Sequence, residues 1–296
     1  MSDLLDFLSW IFTDRGPTDL GGLVFDFACR PSFYVYFIAA LPAAALLVWG
    51  VLRLAFPRGS RLGPPRWGAG AGLLATLLAR LSMGAVHMAV FEVFRNLSSD
   101  PADLIEARSF PIANIICAPL LCLAGYFILK VTARARAADV GLVARGGGRN
   151  FARGLLLLLA LLPLVALLAK INALFLNTVG ADMSEQRVVE IMRSETSPLF
   201  LGLMIVVALL SAPIWEEFIF RGVLYNGLRR SLGRDEAILI SALIFGFIHG
   251  AVISFVPIFL LAIFLAYAYE RTGSLITPIA MHFLFNLWSV LLMHLT

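Results

Sequence analysis

The stretch SAPIWEEFIFRGVLYNGLRR, residues 211–230, places three ionisable side chains next to a long apolar run. It follows LFLGLMIVVALL, residues 199–210, and Pro213 is the only turn signal near the junction. The sequence therefore predicts one long membrane helix that carries Glu216, Glu217 and Arg221 well inside the bilayer. An ionised side chain at that depth costs at least about 2.5 kcal/mol on insertion scales, so the three residues indicate a functional site.

The spacing of these residues predicts different surroundings for the two glutamates. Glu217 and Arg221 are four positions apart with the acid first, which is the favourable order for an ion pair on a helix. Adjacent residues point about 100° apart around the helix, so Glu216 faces another direction and lacks this partner. We therefore expect Glu217 to be held in an ion pair and Glu216 to be available as a catalytic base.

The composition is that of a membrane protein. Of the 296 residues, 60% are hydrophobic and only 14% are charged, whereas soluble domains have about 25% charged residues. Apolar runs of about 20 residues recur along the chain and predict an all-α, polytopic bundle of membrane helices. The arginines cluster beside these runs, which favours a positive-inside pattern over a nucleic-acid partner. The excess of arginine over lysine hints at a bacterial source, and hence at the bacterial plasma membrane.

Eight membrane spans are predicted, at residues 33–56, 69–94, 112–131, 154–175, 198–228, 236–255, 257–269 and 275–295. Residues 1–31 precede them and are not expected to be a secretory signal, because acidic residues stand where a signal would have basic ones. The stretch LLDFLSWIF, residues 4–12, is expected to form a short interfacial helix. Residues 32–197 form the N-terminal membrane helices and residues 198–296 the catalytic helices, together as one membrane domain.

The charges of the connecting loops alternate along the chain. The loops after the first, third and fifth spans are rich in arginine, and the loop after the seventh carries Arg271. The intervening loops are acidic or nearly uncharged. By the positive-inside rule, the loops near Arg61, Arg145 and Arg230 are cytoplasmic and both termini lie outside.

Three further polar residues are predicted at the depth of Glu216. At about 1.5 Å per residue, Glu216 and His249 each lie about 20 Å from the cytoplasmic ends of their helices. His282 and Asn286 share one face of the last helix, about 12 and 18 Å from its start. Three helices thus deliver a glutamate, a histidine and a histidine–asparagine pair to overlapping depths, which is what a site requires.

At these residues the sequence resembles the CPBP intramembrane proteases, which include the type II CAAX prenyl endopeptidases and bacteriocin-immunity-related proteins. The family pattern of Glu-Glu-x-x-x-Arg, Phe-x-x-x-His and His-x-x-x-Asn occurs here in order. Its members are Glu216, Glu217 and Arg221, then Phe245 and His249, then His282 and Asn286. The resemblance covers about residues 198–290.

The resemblance implies an endopeptidase that acts on a membrane-anchored peptide or protein within the lipid bilayer. It implies that Glu216 polarises the attacking water with His249 as its partner, and that Glu217 and Arg221 position that pair. It also implies that His282 and Asn286 stabilise the oxyanion. Amide hydrolysis needs both an activated water and hydrogen-bond donors at the developing negative charge.

Alternatives remain open at the level of the sequence. One glutamate and two histidines are also a plausible zinc set, although no compact HExxH motif is present and a metal-free site is favoured. No GxSxG motif occurs, and the cysteines are remote from the motifs. A proton-coupled transporter could use the same residue types as a relay, although transporters more often show repeated halves. A non-catalytic membrane scaffold is the third alternative.

Overall fold

The computed structural model describes residues 31–57, 59–143 and 146–295, and in this part of the chain every regular element is helical. The helices are α1 Pro31–Ala55, α2 Ala69–Leu97, α3 Ala102–Thr132, α4 Gly147–Thr178, α5 Arg187–Ser194, α6 Pro198–Leu232, α7 Arg234–Ile248, α8 Val252–Thr272 and α9 Ile276–Leu295. The predicted all-α polytopic membrane bundle is confirmed. The expectation for residues 1–31 lies outside the described residues, apart from Pro31.

A helix lies at each of the eight predicted positions, but the sixth ends at Ile248 instead of residue 255, because the chain turns at Gly250 (φ 74°) before α8 begins at Val252. Six of the helices (α2, α3, α4, α6, α8 and α9) are long and apolar enough to cross a membrane. In α1 the described apolar segment is the shorter Ala39–Ala55, and α7 has 15 residues. Eight spans therefore remains a prediction. The structure adds α5, a short helix in what the sequence suggested was only an acidic loop.

Helix α6 is central to the bundle, because α2, α3, α7, α8 and α9 all pack against it. Its side chains Phe220, Leu224 and Tyr225 are fully buried and join a core that includes Phe245 of α7 and Tyr269 of α8. Helix α4 organises a second core, in which its leucines pack against α1, α8 and α9. Between them, the two cores fix α6, α7 and α9 relative to one another.

Two glycines allow unusually close contact between helices. A Cβ atom at Gly227 of α6 would lie 2.7 Å from the carbonyl oxygen of Gly68, just before α2. A Cβ atom at Gly154 of α4 would lie 2.5 Å from the carbonyl oxygen of Thr277 in α9. Small residues commonly let membrane helices approach in this way, because association there depends on tight packing.

The arginine-rich connections meet at one end of the bundle, as their charge pattern predicts. Arg66, after α1, lies 2.7 Å from the carboxylate of Asp139, after α3. Arg229, near the end of α6, donates a 2.9 Å hydrogen bond to the carbonyl of Gly63. The N–H of Leu275, after α8, donates to a carbonyl of the connection after α3. The assignment of this end to the cytoplasm remains a prediction, and Arg145 lies outside the described residues.

The acidic connections meet at the opposite end. Helix α5 is held there by Arg187, which lies 2.6 Å from Glu106 and 3.4 Å from Asp103 in the first turns of α3. The apolar residues Ile191 and Met192 on its other side are buried against α3 and α6. Helix α5 therefore covers this end of the bundle.

Candidate active site

Helix α6 is not a regular α-helix around the two glutamates. Wider π-helical turns occur at Val207–Ser211 and at Phe218–Tyr225, on either side of the α-helical segment Ala212–Glu217. The sequence predicted one long helix without these turns. π-Helical segments are rare and are frequent at functional sites. Here they set the directions in which Glu216 and Glu217 leave the helix.

Pro213 gives a chemical reason for the first π turn. In this turn the N–H of Ala212 bonds to the carbonyl of Val207, five residues back. The same pattern would pair the carbonyl of Ala208 with residue 213, but proline has no N–H. Asn286 of α9 supplies the missing donor, with its amide nitrogen 2.7 Å from that carbonyl oxygen. This hydrogen bond fixes α9 against α6.

Glu217 forms the predicted ion pair and has a second partner. Its Oε1 accepts hydrogen bonds of 2.9 Å from Arg221 and 2.9 Å from Nδ1 of His282. Glu217 is 0% exposed, Arg221 1% and His282 4%. Arg221 also donates a 3.3 Å hydrogen bond to the carbonyl of Ala262 in α8. One buried carboxylate thus joins α6 to α9, and its arginine partner joins α6 to α8.

Phe245 of α7 lies beside the charged groups. Its ring centroid is 4.4 Å from the guanidinium carbon of Arg221, within the range of a cation–π contact. The rings of His249 and His282 lie 4.7 and 5.8 Å from it. The sequence motif included Phe245, but its role was not recognised. The Phe245 ring therefore lies next to the Arg221 guanidinium and to both histidine rings.

Glu216 and His249 face each other at a distance suited to one water molecule. Oε2 of Glu216 lies 3.9 Å from Nε2 of His249, which is too long for a direct hydrogen bond and fits a bridging water. Nδ1 of His249 lies 2.7 Å from the carbonyl of Phe245. Because a carbonyl only accepts, Nδ1 carries the proton and the lone pair of Nε2 faces Glu216. Oε2 of Glu216 has no hydrogen-bond partner among the described residues.

These groups border a cavity of about 250 Å³ that is lined by residues of α2, α3, α5, α6, α7, α8 and α9. Glu216, His249, His282 and Asn286 all line it. Glu217 and Arg221 lie in the wall behind it. The structure therefore brings together the four residues that were placed at one depth from the sequence. It also adds Arg80, His87 and Asn114 from α2 and α3, which had no motif to identify them.

A bound zinc ion would need several His, Cys, Asp or Glu side chains directed at one point. Within the described part of the chain, no three His, Cys, Asp or Glu side chains come together as a metal site requires. His282 directs Nδ1 at Glu217 instead of at Glu216. In this arrangement each carboxylate has its own histidine.

The part of the chain that holds these residues is similar to known proteins. Residues 198–288 match the family model described as Type II CAAX prenyl endopeptidase Rce1-like. A curated protein of Bacillus subtilis (strain 168), named "Putative membrane peptidase YdiL", is 32% identical over 90 residues. The aligned segment covers 30% of this chain and 37% of that relative. No solved structure matches the chain. The resemblance to CPBP proteases is confirmed over this region, which contains all six predicted site residues.

Proposed function

We propose that this chain, whose residues 198–288 match the Rce1-like CAAX endopeptidases, is an intramembrane endopeptidase that uses a glutamate-activated water. The observation that carries the proposal is the pairing of Glu216 and His249 across 3.9 Å in the wall of a cavity within the helical bundle. The curated relative, which carries the name "Putative membrane peptidase YdiL", supports the same reaction class.

Glu216 and His249 can activate one water between them. The water donates one O–H to Oε2 of Glu216 and the other to Nε2 of His249, because both atoms are acceptors. Glu216 removes the first proton while the water oxygen bonds to the carbonyl carbon of the scissile peptide. When the tetrahedral intermediate collapses, the C–N bond breaks and Glu216 returns that proton to the leaving amine. General-base help of this kind contributes about 10²–10⁴-fold to the rate.

In this proposal Asn286 and His282 stabilise the oxyanion of the intermediate. The side-chain amide of Asn286 has two N–H donors, and the hydrogen bond to Ala208 uses one of them. Nδ1 of His282 donates to Glu217, so its Nε2 can donate when the ring carries both protons. The contacts with Ala208 and Glu217 hold both donors in place before substrate arrives, which is how oxyanion stabilisation gains its effect.

Glu217 and Arg221 act behind the cavity in this proposal. Their ion pair fixes His282 through a shared carboxylate oxygen, and the Arg221 guanidinium fixes Phe245 beside both histidines. Glu216 faces His249 and Glu217 bonds to His282. Because the two histidines do not face the same carboxylate, this arrangement supports a metal-free reaction. A zinc-dependent version of the same protease is the alternative that metal analysis tests.

The proposed substrate is a membrane-anchored peptide or protein whose scissile bond enters the cavity from the bilayer. The proposed location is the bacterial plasma membrane, since the curated relative is bacterial and the chain is rich in arginine relative to lysine.

The proposal is tested with protein purified in detergent, its metal content measured, and a library of membrane-anchored peptides analysed by mass spectrometry. We expect cleavage of at least one peptide, resistance to chelators, and loss of cleavage in His249→Ala. Stoichiometric zinc that is removed together with the activity would contradict the metal-free reaction. No cleavage, together with proton flux into liposomes that depends on Glu216, would show a transporter instead.

A further inference from the structure

Arg80 is a charged side chain in the middle of a membrane helix. It lies in the apolar run LLATLLARLSMGAVHMAV, residues 73–90. Helix α2 spans Ala69–Leu97, so Arg80 is about 17 Å from one end of the helix and about 26 Å from the other. A guanidinium at this depth is costly unless it faces a cavity or a partner, and such residues commonly mark substrate paths.

Arg80 faces the candidate active-site cavity. Met83 and His87, three and seven positions further along α2, line the same cavity with it, as the helical repeat requires. Arg80 and Glu216 therefore line one cavity. The residue is outside the family motifs, which begin at Glu216.

The charge of Arg80 is not paired within the described part of the protein. It has no hydrogen bond or ion pair to another described residue. By contrast, Arg95 on the same helix pairs with Glu92 at 2.5 Å, and Arg221 pairs with Glu217. Arg80 is exposed although it lines the cavity, and a charge at this depth in a membrane is costly unless it has a partner or faces a water-filled space.

The other polar groups of the cavity do not neutralise it. His87 is hydrogen-bonded to Asn114 at 3.0 Å and stacks on Phe110. Glu216 is the one carboxylate among the described lining residues, and it faces His249. The cavity thus holds a planar cation with five N–H donors and no acceptor committed to it.

We propose that Arg80 binds a carboxylate of the substrate, an inference that rests on the proposed protease function. The guanidinium fork matches a carboxylate with two parallel hydrogen bonds. A peptide offers this group at its C-terminus or on an Asp or Glu side chain. Because Arg80 and Glu216 line the same cavity of about 250 Å³, we expect the carboxylate to lie close in sequence to the scissile bond.

The test uses the full-length protein and one membrane-anchored peptide sequence in matched forms. In the first pair, one peptide has a free C-terminus and the other an amidated one. In the second pair, one peptide has Glu next to the scissile bond and the other has Gln. Binding is measured on the Glu216→Gln protein and cleavage on the Glu216 enzyme. We expect the charged form to bind roughly 10- to 100-fold tighter, the range for a hydrogen bond to a charged group. The pair that shows the difference identifies the source of the carboxylate.

Arg80→Gln should abolish this preference, Arg80→Lys should retain part of it, and Arg95→Gln should leave it unchanged. The loss should appear in KM for the charged peptide, with little change for the neutral one. Equal binding of charged and neutral peptides by the unsubstituted Arg80 protein would overturn the inference. So would an equal loss on all peptides in Arg80→Gln, since that result indicates a general effect on the site. Absence of cleavage would refute the proposed protease, while the binding arm would still decide the role of Arg80.

Discussion

At the scale of single residues, two adjacent glutamates have different surroundings. The sequence predicted the pairing of Glu217 with Arg221, because the spacing of four on a helix is a local property. It did not predict that His282 shares the same carboxylate oxygen, since that contact depends on how α9 packs against α6. For the same reason Arg80 could be recognised as an intramembrane charge, but its orientation toward the cavity required the fold.

Glu217→Ala and Glu216→Gln should therefore fail in different ways. Removing the Glu217 carboxylate leaves a buried guanidinium without its acid, a change that typically costs about 3–5 kcal/mol. We expect low accumulation and a lower unfolding temperature in detergent. Glu216→Gln keeps the shape of a side chain that has no ion-pair partner of its own, so it should accumulate normally and lose turnover. Equal yields and equal activity losses in the two variants would remove this division of roles.

At the scale of elements, the irregular turns of α6 were the main feature that sequence reasoning missed. Pro213 was visible in the sequence, but a proline can kink a helix, end it or be accommodated by a wider turn. The outcome depends on whether a neighbouring helix supplies a donor to the free carbonyl. Asn286 does so here, across a separation of 78 residues along the chain.

This explanation predicts energetic coupling between Pro213 and Asn286. Asn286→Ala removes the donor to the Ala208 carbonyl and should cost about 1–3 kcal/mol, the penalty of an unsatisfied buried group. In a Pro213→Ala background the new N–H at position 213 can donate to that carbonyl, so the same substitution should cost less. Unfolding of the four proteins in detergent, analysed as a double-mutant cycle, measures the coupling. Additive effects would show that Pro213 is not the reason for the contact.

Gly227→Ala tests the close approach of α6 to the segment that begins α2. The added methyl would meet a backbone carbonyl at 2.7 Å, so we expect a destabilisation of about 1–3 kcal/mol from overpacking. Gly202→Ala on the same helix is the matched control, because nothing lies within 4 Å of a Cβ atom there. Helix propensity favours alanine over glycine at both positions, so an unfolding temperature that falls equally in both variants would point to a general effect instead of this contact.

At the scale of the whole molecule, loop charges predicted which connections meet, and hydrophobicity predicted where the helices lie. Both signals come from the bilayer, which constrains segment lengths and flanking charges strongly. Helix-to-helix contacts are constrained less, because an apolar face can pack against lipid or against a neighbour. The sequence therefore placed Glu216, His249 and His282 at one depth, and the fold was needed to show that they share a cavity.

The orientation of the bundle can be tested by labelling single cysteines in a background without Cys29, Cys117 and Cys122. Ser60 lies in the arginine-rich end and Ser184 in the acidic end, and both are exposed. We expect Ser60→Cys to be labelled only from the cytoplasmic side and Ser184→Cys only from the other side. Labelling of both positions from one side would contradict the topology.

The central claim is that Glu216 activates the water that cleaves a peptide bond within the membrane. It is tested most directly by the single-turnover cleavage rate of a membrane-anchored peptide in chelator-treated buffer, for the unsubstituted protein and for Glu216→Gln. The account predicts cleavage that survives the chelator and a rate at least about 10²-fold lower in Glu216→Gln, the lower end for loss of a general base. A Glu216→Gln protein that folds normally and cleaves at an undiminished rate would contradict it.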